Sequence, residues 1–98
     1  MTTPDIDPRL LRLSPEDNVL VLLVPVAAGE ALVIDGRATR MSAALPLGHK
    51  LAARDIAAGE KILKYGVPIG SATVGIAAGE HVHTQNLRSD YLPGPLEH

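Results

Sequence analysis

The stretch His81-Val82-His83-Thr84-Gln85-Asn86 holds the residues of this chain best suited to chemistry. On an extended strand alternate side chains share a face, so His81, His83 and Gln85 are expected to point one way and Val82 and Thr84 the other. Two imidazoles on one face can ligate a metal, or act as one ligand and one acid/base near neutral pH. The ordinary alternative is a half-exposed strand, because a metal site needs more than two ligands. A second candidate is Gly48-His49-Lys50, where Lys50 can meet a substrate carboxylate or simply be solvated. The third is Tyr65, one of only two aromatic residues. Its ring is expected to pack in the core with the hydroxyl at the rim, or else to offer that hydroxyl to a substrate.

The elements that position these groups follow from a repeat. Ala-Ala-Gly-Glu occurs at 27–30, 57–60 and 77–80, each copy after a β-branched residue (Val26, Ile56, Ile76) and before an apolar one (Leu32, Ile62, Val82). A looser fourth copy is Leu45-Pro46-Leu47-Gly48-His49-Lys50-Leu51. The apolar residues face a core, and the glycine allows the positive φ of a tight turn. Each unit is thus a short strand, a turn and another short strand. In this alignment His83 stands where the other units place Val33, Ala52 and Leu63, and His49 stands where they place glutamate. Such departures from the scaffold's own rule mark candidate functional positions. Glu30, Glu60 and Glu80 are expected to be solvated charges just past their turns.

Asp35-Gly36 predicts a two-residue hairpin, and Tyr65-Gly66 leads into another turn and strand. No apolar 3.6-residue pattern runs for three turns between Asn18 and Asn86. The expectation is an all-β domain of many short strands. Residues 1–17 read as a polar lead-in, with Ser14 capping one helical turn that starts at Pro15. Residues 18–92 form the domain. Residues 93–98 are a tail, whose Leu96-Glu97-His98 resembles an affinity-tag remnant. Arg54-Asp55 and Arg88-Ser89-Asp90-Tyr91 are expected to be surface ion pairs or subunit contacts.

With 98 residues this is one domain; folding hides about 64% of the surface of a chain this size. An apolar fraction of 46% excludes a disordered chain. Two aromatics and a net charge of -2 argue against nucleic acid and anionic membranes as partners. The chain has no cysteine, hence no disulfide, thiolate nucleophile or thiolate-held metal. The longest apolar run, Val19 to Val24, falls short of the ~20 residues that cross a bilayer. No leader is visible, so a cytoplasmic location is expected. Phosphate loops, dinucleotide fingerprints and nucleophile elbows are absent. With so few large side chains the domain is expected to lend residues to a site completed by another protein.

In order along the chain, Gly48-His49-Lys50, Arg54-Asp55-Ile56-Ala57-Ala58-Gly59-Glu60, Tyr65-Gly66-x-x-Ile69-Gly70, Ile76-Ala77-x-Gly79-Glu80 and His83-Thr84-x-Asn86-Leu87 resemble the small SAF domain of the altronate/galactarate dehydratase family. The resemblance implies a β-clip fold. It also implies a larger catalytic subunit as partner, a sugar-acid substrate, and elimination of water to a 2-keto-3-deoxy acid. A divalent metal, iron(II), is implied, held mainly by that partner. Carried onto this chain, His83 and His49 become catalytic candidates, Lys50, Tyr65, Gln85 and Asn86 substrate-binding candidates, and His83 with His81 candidate metal ligands. The family has a second histidine where this chain has Gln85, which can hydrogen-bond but not serve as acid or base; His81 is the candidate replacement. The alternatives are the small subunit of a (2R)-sulfolactate sulfo-lyase, which expels sulfite, and a non-catalytic carbohydrate-binding or assembly module. The domain is expected to be inactive alone and able to self-associate.

Overall fold

The computed structural model describes residues 6–89. Nine short strands follow in order: β1 (Leu10–Leu11), β2 (Val19–Leu22), β3 (Ala31–Ile34), β4 (Arg37–Arg40), β5 (Lys50–Ala52), β6 (Lys61–Lys64), β7 (Val67–Ala72), β8 (His81–Val82) and β9 (Leu87–Arg88). All pairings are antiparallel, in sheets ordered β1-β2-β5-β8, β3-β4 and β6-β7-β9. No helix is present among the described residues, so none is available to cross a membrane. The all-β, β-clip expectation holds.

The repeat explains how so many short strands close on themselves. In every unit the glycine N–H donates to one main-chain carbonyl, and the N–H of that same residue returns a bond to the carbonyl just after the glycine. Gly29-Glu30 pairs in this way with Met41, Gly48-His49 with Leu22, Gly59-Glu60 with Ala72, and Gly79-Glu80 with Ala52, at 2.7–2.9 Å. The four glycines sit at φ of 84–87°, a conformation that is strained for any residue with a Cβ. Units also pair with each other, since Val26 with Leu45 and Ile56 with Ile76 exchange both backbone bonds. The glutamates are more than solvated charges. Oε1 of Glu30, Glu60 and Glu80 accepts from the N–H of Ala27, Ala57 and Ala77 at 2.8, 3.0 and 2.7 Å. Each therefore staples its own turn.

Period-2 alternation gives the central sheet two buried faces. Leu20, Leu22 and Leu51 enter one core with Leu32, Ile34 and Met41. Val19, Ala52 and Val82 enter a second with Ile56, Ile62 and Ile76. Burying each such aliphatic side chain favours folding by about 1.5–3 kcal/mol, which replaces the missing aromatic core. Both Asp35-Gly36 and Tyr65-Gly66 form hairpin turns with positive φ at both positions (52° and 74°, 59° and 71°). This corrects the expectation of a packed Tyr65 ring: it stands at a hairpin tip and is 67% exposed.

Residues 6–17, read as a lead-in, are woven into the domain. Ile6 bridges Ile34, Leu10 pairs with Leu22 and is buried, and the Arg9 guanidinium holds the buried Asp7 carboxyl far below its ordinary range. Ser14 does not cap a helix. Residues 14–17 make one turn closed by Asp17 N–H to Ser14 O, and Asp17 supplies the cap. The buried Asp17 carboxylate accepts from the N–H groups of Ser14, Tyr65 and Gly66 at 3.1, 2.9 and 2.7 Å. Asn18 next to it bonds Lys61 O and Leu63 N–H, both at 2.8 Å. These two residues pin the β6–β7 hairpin to β2. Asp17→Ala, which strands three donors, is expected to destabilise the domain by about 3 kcal/mol in a denaturant titration, since an unmet buried donor costs ~1–3 kcal/mol. A loss under ~0.5 kcal/mol, the usual surface value, would show that the carboxylate is not what anchors the hairpin.

Arg54 pairs with Glu60 and its guanidinium also bonds Asp55 O, so the expected Arg54-Asp55 side-chain pair does not form; Asp55 Oδ1 instead receives the Ala78 N–H at 2.9 Å. The readings placed on Asp90, Tyr91 and the 93–98 tail lie outside the described residues.

Candidate functional site

Three imidazoles meet at one edge of the central sheet. The register sets Leu51 opposite His81 and Lys50 opposite Val82. His49 lies just beyond this ladder, two residues before Leu51, and His83 follows directly after its end at Val82. The ring centroids of His49–His81, His49–His83 and His81–His83 are 5.0, 5.5 and 5.5 Å apart. His49 Nδ1 lies 2.9 Å from His81 Nε2, so one ring's N–H faces the other's lone pair. His83 stacks on His81 with the planes 10° apart. All three are half-buried. The sequence repeat aligns these positions but gives no sign that 49 and 81 come from paired strands.

A turn, rather than the pleat of a long strand, carries His83 to this place. β8 ends at Val82, where a strand over 81–86 was expected, and the chain doubles back through His83–Asn86. Asn86 holds that reversal. Its buried carboxamide accepts from His83 N–H at 3.0 Å and donates to His81 O at 2.9 Å. Asn86 is thereby a positioning residue, engaged by its own chain where the sequence suggested a ligand for substrate hydroxyls. Gln85 is exposed and donates its Nε2 to His81 O at 3.2 Å, which leaves its carbonyl oxygen open.

Why an imidazole stands at 49 has a local reason. In the other three units the residue after the glycine is a glutamate that accepts the N–H three residues earlier. In this unit the residue three earlier is Pro46, which has no N–H to give. The turn has lost the donor that a glutamate would serve, and position 49 is free of the stapling duty. The Pro46–His49 pairing is a signal the sequence carried and a motif search overlooks.

Lys50 is not part of the imidazole group. It lies on the opposite face with Val82 and Val21, is 5% exposed, and no carboxylate among the described residues lies within ion-pair distance. Burial, then the charge of Lys64, pushes its ammonium below the usual lysine range. Nor is Tyr65 joined to the cluster by any ring contact or hydrogen bond among the described residues.

Burial, then the neighbouring His49, His83 and Lys50 charges, lowers the His81 pKa below its ordinary 6.5. Near pH 7 this favours a neutral imidazole that can take up a proton and return it. The sign for stability follows. Below the folded-state pKa the charged ring is disfavoured in the fold relative to the unfolded chain, and the penalty disappears as pH rises past 6.5. The melting temperature is expected to drop on going from pH 7 to pH 5, and to drop less in His81→Gln; equal pH slopes in the two proteins would refute this.

The rings do not make a metal centre on their own. Facing nitrogens engage each other and stacked rings do not converge their lone pairs. No group of three His, Asp or Glu ligands is gathered for a metal among the described residues. His81 and His83 therefore do not complete a metal site among the described residues.

A family model described as the altronate/galactarate dehydratase SAF domain matches residues 8–90. An altronate dehydratase of Escherichia coli K12 is 40% identical over 80 residues, covering 82% of this chain and 16% of that protein. One from Bacillus subtilis 168 is 35% identical over the same shares. A (2R)-sulfolactate sulfo-lyase subunit alpha of Chromohalobacter salexigens is 42% identical over 81 residues, covering 76% of this chain and 86% of that subunit. The chain spans about a sixth of the length of the altronate dehydratases it matches.

Proposed function

The chain belongs to the altronate/galactarate dehydratase SAF-domain family, and from that premise we propose that it is the small subunit of a lyase acting on a 2-hydroxy sugar acid. The observation that carries the reading is the meeting of His49, His81 and His83 on one sheet edge. Such a lyase breaks the C–H bond next to the carboxylate and the C–O bond at the next carbon. Water leaves, and the resulting enol rearranges to the 2-keto-3-deoxy acid. The leaving hydroxyl needs a proton. His83, at the open end of the stack, is the group that delivers it, and the hydrogen-bonded His49–His81 pair supplies the next one. A half-buried imidazole, which can both give and take a proton, suits this transfer. Asn86 holds His83 at the turn that aims it. The larger catalytic subunit brings the groups that this domain lacks, including the divalent metal, iron(II), that the resemblance implies; the complex works in the cytoplasm.

A second reading is favoured by the likeness that extends over 86% of a sulfo-lyase subunit: the same proton chemistry with sulfite as leaving group. Co-expression with a candidate large subunit decides the matter. Formation of 2-keto-3-deoxy acid well above that of the large subunit alone is expected. Release of sulfite from sulfolactate instead would select the second reading. No gain with either substrate would reject both in favour of a carbohydrate-binding or assembly module.

A further inference from the structure

The central sheet holds one buried cation that no acidic group among the described residues answers. Leu11, Val21, Lys50 and Val82 stand opposite one another in a row across β1, β2, β5 and β8. They share the face turned away from Leu51 and His81. Cover on that face is uneven. Val82 is sealed in the second core, whereas Val21 is half-buried and Leu11 is 42% exposed. Leu23, just past the end of β2, is exposed as well. Lys50 lies where the covered half meets the open half. It is 5% exposed, and no carboxylate among the described residues is within ion-pair distance. Among those residues the unpartnered side-chain polar atom closed off from water is Arg12 Nε, so Lys50 Nζ keeps a tip that faces outward. The charge that reaches it is a second cation, Lys64. Drawing a cation out of water without a counter-charge disfavours folding. An aliphatic residue at 50 would simply extend the row of Leu11, Val21 and Val82. An anion brought from outside gives the lysine its reason. The reacting acid belongs with the imidazoles on the other face. A second copy of this chain is disfavoured too. A two-fold contact through this face sets Lys50 and Lys64 against the same two lysines, and the row holds no acid to receive them.

We infer that the open half of this face seats the larger subunit, which lays aliphatic side chains over Leu11 and Val21 and sets an aspartate or glutamate against Lys50. Docking here leaves the imidazoles on the other face free for the reacting acid. The inference rests on the small-subunit reading, and not on which acid is cleaved. Binding of the full chain to the candidate large subunit is measured by surface plasmon resonance, and each variant is also melted alone. Lys50→Met keeps the stem and removes the charge. Alone, it is expected to melt at the same temperature as the wild type or higher. Its complex is expected to weaken about 30-fold or more, chiefly through faster dissociation, as truncating one member of a buried charge pair does. Leu11→Ser is expected to weaken the complex several-fold at an unchanged melting temperature. Val74→Ser, exposed past the end of β7, is expected to leave the affinity as it was. Carbodiimide joins an amine to a carboxylate in contact with it, forming an amide with loss of water. In the complex it is expected to link Lys50 to an aspartate or glutamate of the larger subunit. No complex with the wild-type chain, full affinity in Lys50→Met, a lower melting temperature in that variant, absence of the link, or a link from Lys50 to a second copy would each overturn the surface. So would a raised KM in Lys50→Met at unchanged affinity, which assigns the ammonium to the substrate. A complex that depends on Lys50 but turns over neither acid would keep the surface and dismiss the lyase reading. A turnover gain in a complex that Lys50→Met leaves intact would do the reverse.

Discussion

In the proposed lyase complex, replacing His83 by alanine is expected to lower kcat at least 100-fold while leaving KM within a few-fold. Positioned acid–base groups contribute roughly 10²–10⁴ to rate, and a group that acts only as the leaving hydroxyl departs affects the transition state more than the bound substrate. A His83→Gln variant keeps a hydrogen-bonding side chain without a proton to exchange, and should be nearly as slow. The sharper variant rewrites one turn. Pro46→Ala with His49→Glu restores at the second unit the Ala-to-Glu staple that the other three units make at 2.7–3.0 Å. Melting temperature is expected to hold or rise. Activity should fall with that of His83→Ala, because the hydrogen-bonded partner of His81 is gone. The carboxylate now beside His81 should raise that imidazole's pKa and carry the pH profile of kcat upward. Should His83→Ala turn over at the wild-type rate, the cluster is part of the scaffold and the acid–base reading fails.

Gly70→Ala is expected to be the most damaging single methyl in the domain. A Cβ built there would lie 2.2 Å from Arg88 O and 2.8 Å from Leu87 Cδ1. Its φ is not positive, so the obstacle is the close approach of β9, which pairs with β7 through Ser71–Arg88 and Ala72–Leu87. A backbone oxygen cannot rotate aside as a side chain can, and the strands must part. Overpacking of this kind costs about 3 kcal/mol, which corresponds to a fall of roughly 12–24 °C in a domain of this size. The consequence reaches the site, because β9 begins directly after Asn86. Moving it shifts the turn that holds His83, so any folded fraction should also lose activity. Gly75→Ala is the control. Its Cβ meets nothing closer than Ile56 O at 4.0 Å, and the loss of unfolded-state freedom should leave stability unchanged or slightly raised. Equal melting temperatures for the two variants would remove the close-approach argument.

Local backbone demands were legible from the residues. Four glycines at the same place in four units announced four turns, because positive φ is a property of one residue and its neighbours. Asp35-Gly36 announced a hairpin for the same reason. The departure of His83 from an apolar pattern was visible by alignment. Tyr65 misled, since an aromatic in a chain with so few suggests core, whereas position 65 needs positive φ and sits at a hairpin tip. The lead-in misled as well. Two-residue strands such as β1 have no periodicity to detect, and they exist because partners such as Val21 and Leu22 are already in place.

What the chain's residues decide alone is the inventory: where it turns, which positions are apolar, and that position 49, beside Pro46, has no staple to form. What only the folded form decided is proximity. His49 and His81 are 32 residues apart, and they meet because β5 and β8 pair with Leu51 opposite His81. A shift of one residue in that register would have sent His81 to the face where Lys50 is buried, since strand side chains alternate with period two. Register is set by the packing of two cores at once, a cooperative outcome that no local stretch of residues contains.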